Sequence, residues 1–288
     1  MATPAALFKL TRFPLVFTAM ADSAVGAALV GVNLLSCARV IPAMAASALL
    51  YAGGMVMNDV CDLERDRTLH PERPLPSGRV LPKSASVFAI VLFALAMMSA
   101  GLAGTMAVVA AGWVVALIAA YNRLLKHNAI AGSAGMAAIR GSNLGLGAAA
   151  IGMSPASAEF PWIPIAVLSA YVFALTLWST REDRGDGRRG FPALVGAALA
   201  WVPLAAALRP SPHRWTALVP SLWILPWVLR AIARPSRERM MQVVRWGVLG
   251  IILLDASFLA ALGRWAEAGA VAGLIVPALA LLPVFRKL

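Results

Sequence analysis

Long apolar runs set the pattern of this chain, and its polar residues gather in short stretches between them. A helix of roughly 20 apolar residues crosses about 30 Å of hydrocarbon. Helices and closed barrels are the available spanning structures, because a bilayer core gives backbone N–H and C=O groups no partner. Barrel strands alternate apolar and polar residues, whereas runs such as Val87–Val109 and Val248–Leu262 do not. The pattern therefore predicts an all-α, polytopic membrane bundle of nine to ten helices. Ten segments can be drawn, at about 13–35, 40–58, 84–102, 104–121, 129–151, 161–179, 190–208, 215–231, 244–263 and 266–285. Prolines at 155, 161, 164, 203, 220, 226 and 277 fall at span ends or imply kinks. Frequent Gly and Ala within the spans permit close helix approach. Residues 1–288 read as a single transmembrane domain.

Composition strengthens this reading. Apolar residues make up 60% of the chain and charged ones 13%, against about 45–50% and about 25% in soluble domains. The net charge of +12 raises the question of nucleic acid. However, the cations lie in short loops between spans and do not form one soluble face, so no nucleic-acid partner is expected. Two cysteines without a CxxC, and three histidines, argue against a zinc or haem site of ordinary spacing. Cys37 and Cys61 flank the second span and are expected to stand too far apart to bond. The first apolar run lacks the short core and small-residue cleavage site of a secretory signal.

Loop cations give the orientation. With the N-terminus inside, twenty Lys and Arg fall in inner segments and four, Arg39, Arg209, Arg214 and Arg264, in outer ones. That bias predicts an even number of spans in the cell (inner) membrane.

The thirteen acids are unevenly placed, and eight of them occupy two inner loops. Asp59, Asp62, Glu64, Asp66 and Glu72 follow span 2, and Glu182, Asp183 and Asp186 follow span 6. Both loops open on the same, cytoplasmic, side. Asn58, Asp62 and Asp66 stand at i, i+4 and i+8, so a continuing helix lines their oxygens along one face. Such a column suits a hard cation, Mg²⁺ above all, which commonly shares one or two carboxylates with a substrate phosphate. Glu182 and Asp186 repeat the i, i+4 spacing. Two facing columns would hold two or more Mg²⁺ ions with a diphosphate between them. The alternative is that these acids are solvated and balanced by neighbouring arginines.

Cationic partners accompany the acids. The run from His70 to Arg79 carries three prolines and a glycine, which fix a non-helical loop and bring Arg73 and Arg79 toward the metals. Tyr121 and Lys126 end span 4 as YxxxxK. Arg140, followed by Asn143, lies inside span 5, where a charge costs about 2.5–3.5 kcal/mol or more. Its compensating anion is either a diphosphate or one of two acids, Asp22 of span 1 or Asp255 of span 9.

The run Asn58-Asp59-Val60-Cys61-Asp62-Leu63-Glu64-Arg65-Asp66, then Arg73-Pro74-Leu75-Pro76-Ser77-Gly78, resembles the NDxxDxxxD…RPxPSG signature of the UbiA superfamily of intramembrane prenyltransferases. Tyr121 with Lys126, and Arg140-Gly141-Ser142-Asn143, are similar to that family's diphosphate-contacting stretches. The resemblance runs from span 1 to about span 7. The second motif departs from the usual DxxxD, since Glu182 keeps the charge on an arm one methylene longer. In this it is similar to the UbiA-like branch that includes EboC-like proteins. Nine spans are usual in the family, whereas the charge count here favours ten.

The resemblance implies a central cavity open to lipid, with Asn58, Asp62 and Asp66 binding one Mg²⁺ and Glu182 with Asp186 another. Arg73, Tyr121, Lys126, Arg140 and Asn143 would bind an allylic prenyl diphosphate, and the cations among them would stabilise charge on the leaving group. A hydrophobic acceptor, aromatic or lipid-like, would capture the allylic cation. Tyr121, Tyr171 and Trp178 lie at a depth suited to stabilising that cation. Three alternatives share the fold: phosphoribosyl or other diphosphate-donor transfer, faintly suggested by His70-Pro71, a non-catalytic lipid binder, and a transport component.

Overall fold

The computed structural model describes residues 4–180, 190–203 and 211–287, with the side chains of 190–194 and 284–287 left aside. The described residues hold helices and turns and no strand. A short helix, α1 (Pro4–Leu10), precedes α2 (Val16–Leu29), α3 (Val40–Cys61) and the one-and-a-half-turn α4 (Leu63–Leu69). Then come α5 (Pro82–Ala103), α6 (Thr105–Ala120), α7 (Ala129–Ala150), α8 (Trp162–Ser179) and α9 (Gly190–Trp201). The chain closes with α10 (Leu218–Ala233), α11 (Arg237–Ala261), α12 (Trp265–Gly273) and α13 (Ile275–Lys287). Among the described residues, seven helical stretches are long and apolar enough to cross a membrane. The shorter α2 and α9, together with α7, fill the remaining expected positions.

Three boundaries differ from expectation. The first span stops at Leu29, where Gly31 takes φ 91° and turns the chain. The last segment breaks at Leu274 into α12 and α13. Helix α11 begins seven residues early because Ser236 caps it, its hydroxyl accepting from Arg239 N at 3.3 Å. A capped, arginine-rich first turn is helical without being apolar, so a hydropathy pattern does not show it.

On α5 the packing inverts the soluble arrangement, with small residues inside and large ones outside. Helix α5 buries Ala85, Ala89, Ala96, Ala100 and Ala103 while Val87, Ile90, Met98 and Leu102 are 60–79% exposed. Lipid is as apolar as Leu, so close backbone approach and dispersion drive association here. The tightest approach is between α2 and α7. A Cβ on Gly147 would stand 1.8 Å from the Ser23 carbonyl oxygen, and one on Gly26 1.9 Å from that of Leu144. Gly147→Ala is therefore expected to destabilise the protein by about 1–3 kcal/mol through overpacking, measured as a lower Tm in detergent. An unshifted Tm would show that the two backbones do not touch there. Cys37 and Cys61 are free, separated by the 22 residues of α3, which rise about 33 Å.

Candidate active site

The first acidic motif forms where α3 gives way to α4. The axis breaks at Asp62, yet backbone hydrogen bonding runs through it. Asp62 N donates to Asn58 O at 2.9 Å, Asp66 N to Asp62 O at 2.8 Å, and His70 N to Asp66 O at 2.8 Å. Near-helical register is thus kept, and Asn58, Asp62 and Asp66 all face one cavity of about 830 Å³, as their spacing predicts. Asp66 is nearly buried, at 4% exposure.

Cations meet these acids directly. Lys126 Nζ stands 2.6 Å from Asp62 Oδ1, and Arg73 Nη1 stands 2.6 Å from Asp66 Oδ2. Arg73 is held by its loop, because Leu75 and Val80 bury themselves against α1, α3 and α5. Within the loop, Val80 N donates to Pro74 O and Ser77 N to Arg73 O, each at 3.0 Å. Gly78 takes φ 76°, which a residue with a side chain rarely adopts. Arg79, expected near the acids, folds back on its own loop, donating to Glu72 O at 2.5 Å and to Ser77 Oγ at 3.0 Å.

Tyr121 and Lys126 reach the cavity through a local change of helix. Residues Tyr121–Leu125 form a π-helical turn, closed by Lys126 N donating to Tyr121 O at 3.1 Å. Five residues apart on an α-helix would leave the two side chains about 140° apart around the axis. The wider π-turn reduces that angle, so both line the same cavity.

Arg12 is a cavity residue that the sequence reading counted only as a loop cation. It has φ 48°, the one positive φ of a non-glycine residue among those described. Its Nη2 lies 3.3 Å from Asp59 Oδ1. Burial of Asp59 and the strained turn before Pro14 mark this contact as built into the fold.

Arg140 and Asn143 stand apart from the lining of the acidic cavity, and Arg140 takes one of the two acids expected as its alternative to a diphosphate. Arg140 Nη2 donates to Asp22 Oδ1 at 2.9 Å and to Thr18 O at 3.1 Å. Asn143 Nδ2 donates to Asp22 Oδ2 and to Ala19 O, both at 2.9 Å, and Ser47 Oγ donates to Asn143 Oδ1 at 2.7 Å. The guanidinium is thus compensated by Asp22, inside the bundle, and neither residue lines the acidic cavity. Tyr171 and Trp178 are likewise packing residues. They are fully buried and donate to α11 carbonyls, Tyr171 to Gly247 O at 3.0 Å and Trp178 to Met240 O at 3.3 Å.

Glu182 and Asp186 lie outside the described residues. The chain leading to them does meet the site, since Thr176, Ser179 and Thr180 at the end of α8 line the cavity. Asn128, which caps α7, and Gly132 and Ser133 within it line the same cavity.

A description of the UbiA prenyltransferase family matches residues 15–237. The digeranylgeranylglyceryl phosphate synthase of Methanopyrus kandleri is 30% identical over 255 residues, covering 82% of this chain and 92% of its own length. That of Halobacterium salinarum is 35% identical over 179 residues, 59% of this chain; the match spans 64% of that relative, less than two thirds. Among solved structures, the apo UbiA homolog from Aeropyrum pernix K1 superposes with TM-score 0.67 at 21% identity, covering 86% of this chain and 98% of that one. A UbiA homolog from Archaeoglobus fulgidus bound to GPP and Mg²⁺ gives 0.53 at 14% identity, covering 88% and 99%. Fold and sequence agree: this chain belongs to the UbiA prenyltransferase family.

Proposed function

We propose that the chain transfers a prenyl group from an allylic prenyl diphosphate, bound with Mg²⁺ in the acidic cavity, to a lipid-like acceptor carrying a glyceryl phosphate. The observation that carries this reading is the facing of Asp62 and Asp66 by Lys126, Arg73 and Arg12 within one cavity at the inner ends of the helices. The donor set fits the metal. Asn58, Asp62 and Asp66 supply oxygens alone, as Mg²⁺ requires. No group of three or more His, Cys, Asp or Glu among the described residues forms a metal cage. An open column of this kind suits an ion completed by substrate phosphates. When bound, Mg²⁺ supplies neutralisation of the charge that develops on the leaving diphosphate.

The protein's own groups supply the rest. Lys126 and Arg73, paired with carboxylates, are placed to turn toward diphosphate oxygens, with Arg12 beside them. The C1–O bond of the donor breaks with its electron pair going to diphosphate. The acceptor hydroxyl oxygen bonds to C1, and its proton leaves to the released diphosphate or to water. Tyr121 presents an aromatic face on the cavity wall where the allylic cation forms. Glu182 and Asp186 are proposed to complete the metal site from the segment after Thr180. The excess of cations in one set of loops supports a site on the cytoplasmic side of the cell membrane, with residues 1–288 acting as one transmembrane domain.

The lipid-like acceptor is favoured over an aromatic one by the relatives' name, which describes a glyceryl phosphate with two geranylgeranyl groups. The test is purified protein in lipid nanodiscs with Mg²⁺, supplied with geranylgeranyl diphosphate and either geranylgeranylglyceryl phosphate or an aromatic acid. Ether formation on the glyceryl phosphate is the expected result. Prenylation of the aromatic acid alone, or turnover of phosphoribosyl diphosphate instead, overturns the proposal. Lys126→Ala is expected to weaken donor binding about tenfold or more, measured as Kd for a non-hydrolysable donor analogue. An unchanged Kd removes Lys126 from the diphosphate site.

A further inference from the structure

The inner ends of α10 and α11 form a hairpin that prenyl transfer does not use. Arg230, Arg234, Arg237, Arg239 and Arg245 fall within sixteen residues, against the single acid Glu238. In the hairpin, Arg239 Nη1 donates to the Arg234 carbonyl at 2.6 Å, and the Arg230 guanidinium lies 5.2 Å over the Trp227 ring.

Arg230 rests on a cluster of three indole rings. Trp227 stacks on Trp246 with ring centroids 5.0 Å apart and planes at 15°, and Trp223 meets Trp246 edge-on at 5.4 Å. Trp223 Nε1 also donates to Trp246 O at 2.9 Å. Indole rings favour the boundary between headgroups and hydrocarbon. Helix α11, with 25 residues, rises about 37 Å, which exceeds the hydrocarbon thickness of about 30 Å. Its capped, arginine-rich first turns therefore reach into the headgroup layer.

We propose that this hairpin binds the headgroup of an anionic phospholipid in the adjoining leaflet. Arg230 and Arg234 take the phosphate, and the Trp227–Trp246 pair sits against the glycerol and upper acyl chain. Charge selects the occupant, since a basic cluster beside a span and an anionic leaflet attract one another over a Debye length. The seat adjoins the acidic cavity: Trp178 Nε1 donates to Met240 O, and the last turn of α8 lines that cavity. A lipid held here braces the wall of the site from behind.

The experiment uses the full chain reconstituted in phosphatidylcholine bilayers doped with brominated phosphatidylglycerol or with brominated phosphatidylcholine, reading tryptophan quenching. Phosphatidylglycerol is expected to quench at about fivefold lower mole fraction, with the preference shrinking at high salt. The preference is expected to vanish when Arg230→Gln and Arg234→Gln are combined, and to persist when the same two become Lys. Trp227→Phe should lower the quenchable fraction, locating the signal. Equal quenching by the two lipids, or a preference surviving in the Gln variant, overturns the proposal. So does retention of nucleic acid or a soluble acidic protein in place of lipid discrimination.

Discussion

Asp62→Ala is expected to lower Mg²⁺-dependent diphosphate release by at least about 10³-fold, with the protein still inserted and folded. Asp62 sits at the break between α3 and α4, lines the cavity and pairs with the Lys126 ammonium 2.6 Å away. Its loss removes an oxygen from the centre of the cation-binding column and leaves Lys126 without its carboxylate. Helix α3 is secured by its packing against α5 and α2, away from Asp62, so insertion and thermal stability should change little. Single-turnover release of diphosphate from a labelled donor measures the effect, with titrated Mg²⁺ separating weak metal binding from slow ionisation. Turnover near that of the unaltered chain would remove the first acidic motif from the mechanism.

The second large effect concerns stability. Arg140→Met is expected to cost about 3–5 kcal/mol, because it strands Asp22 as an uncompensated charge inside the bundle. Adding Asp22→Asn should restore part of that loss, since the amide still accepts from Asn143 and no longer needs a cation. Thermal unfolding in detergent reads both steps. A donor KM unchanged in the double variant fits an ion pair that joins α2 to α7. A raised donor KM there would return Arg140 to the diphosphate site.

Sequence periodicity served best where one helix carries the feature. Asn58, Asp62 and Asp66 share a face because a single near-continuous helical register sets them there, and neighbours had little influence. Arg140 was legible as a buried charge needing an anion, but Asp22 lies 118 residues away in the chain. Period gives the face a residue occupies and leaves open which helix lies opposite. The same limit applies to Tyr171 and Trp178, whose depth was readable and whose direction, toward α11 carbonyls, was not. Arg12 carried no local signal beyond its charge. Its place in the cavity comes from a left-handed residue between α1 and α2, a tertiary choice. The break at Leu274 left no mark in the pattern because α12 and α13 are both apolar and together keep the length of one span.

The widened turn at Tyr121–Leu125 makes the spacing of two side chains depend on chain length as well as on residue type. Adding one residue to it would set the ring and the ammonium six residues apart, about 120° round an ordinary helix, and swing the ammonium away from Asp62. Removing one would leave them four apart, about 40°, and still on one face. Insertion scanning should therefore find a sensitive spot here where point changes at Asn122, Arg123 or Leu124 are mild. Relatives that keep both the aromatic ring and the lysine are accordingly expected to conserve the number of residues between them more strictly than their identities.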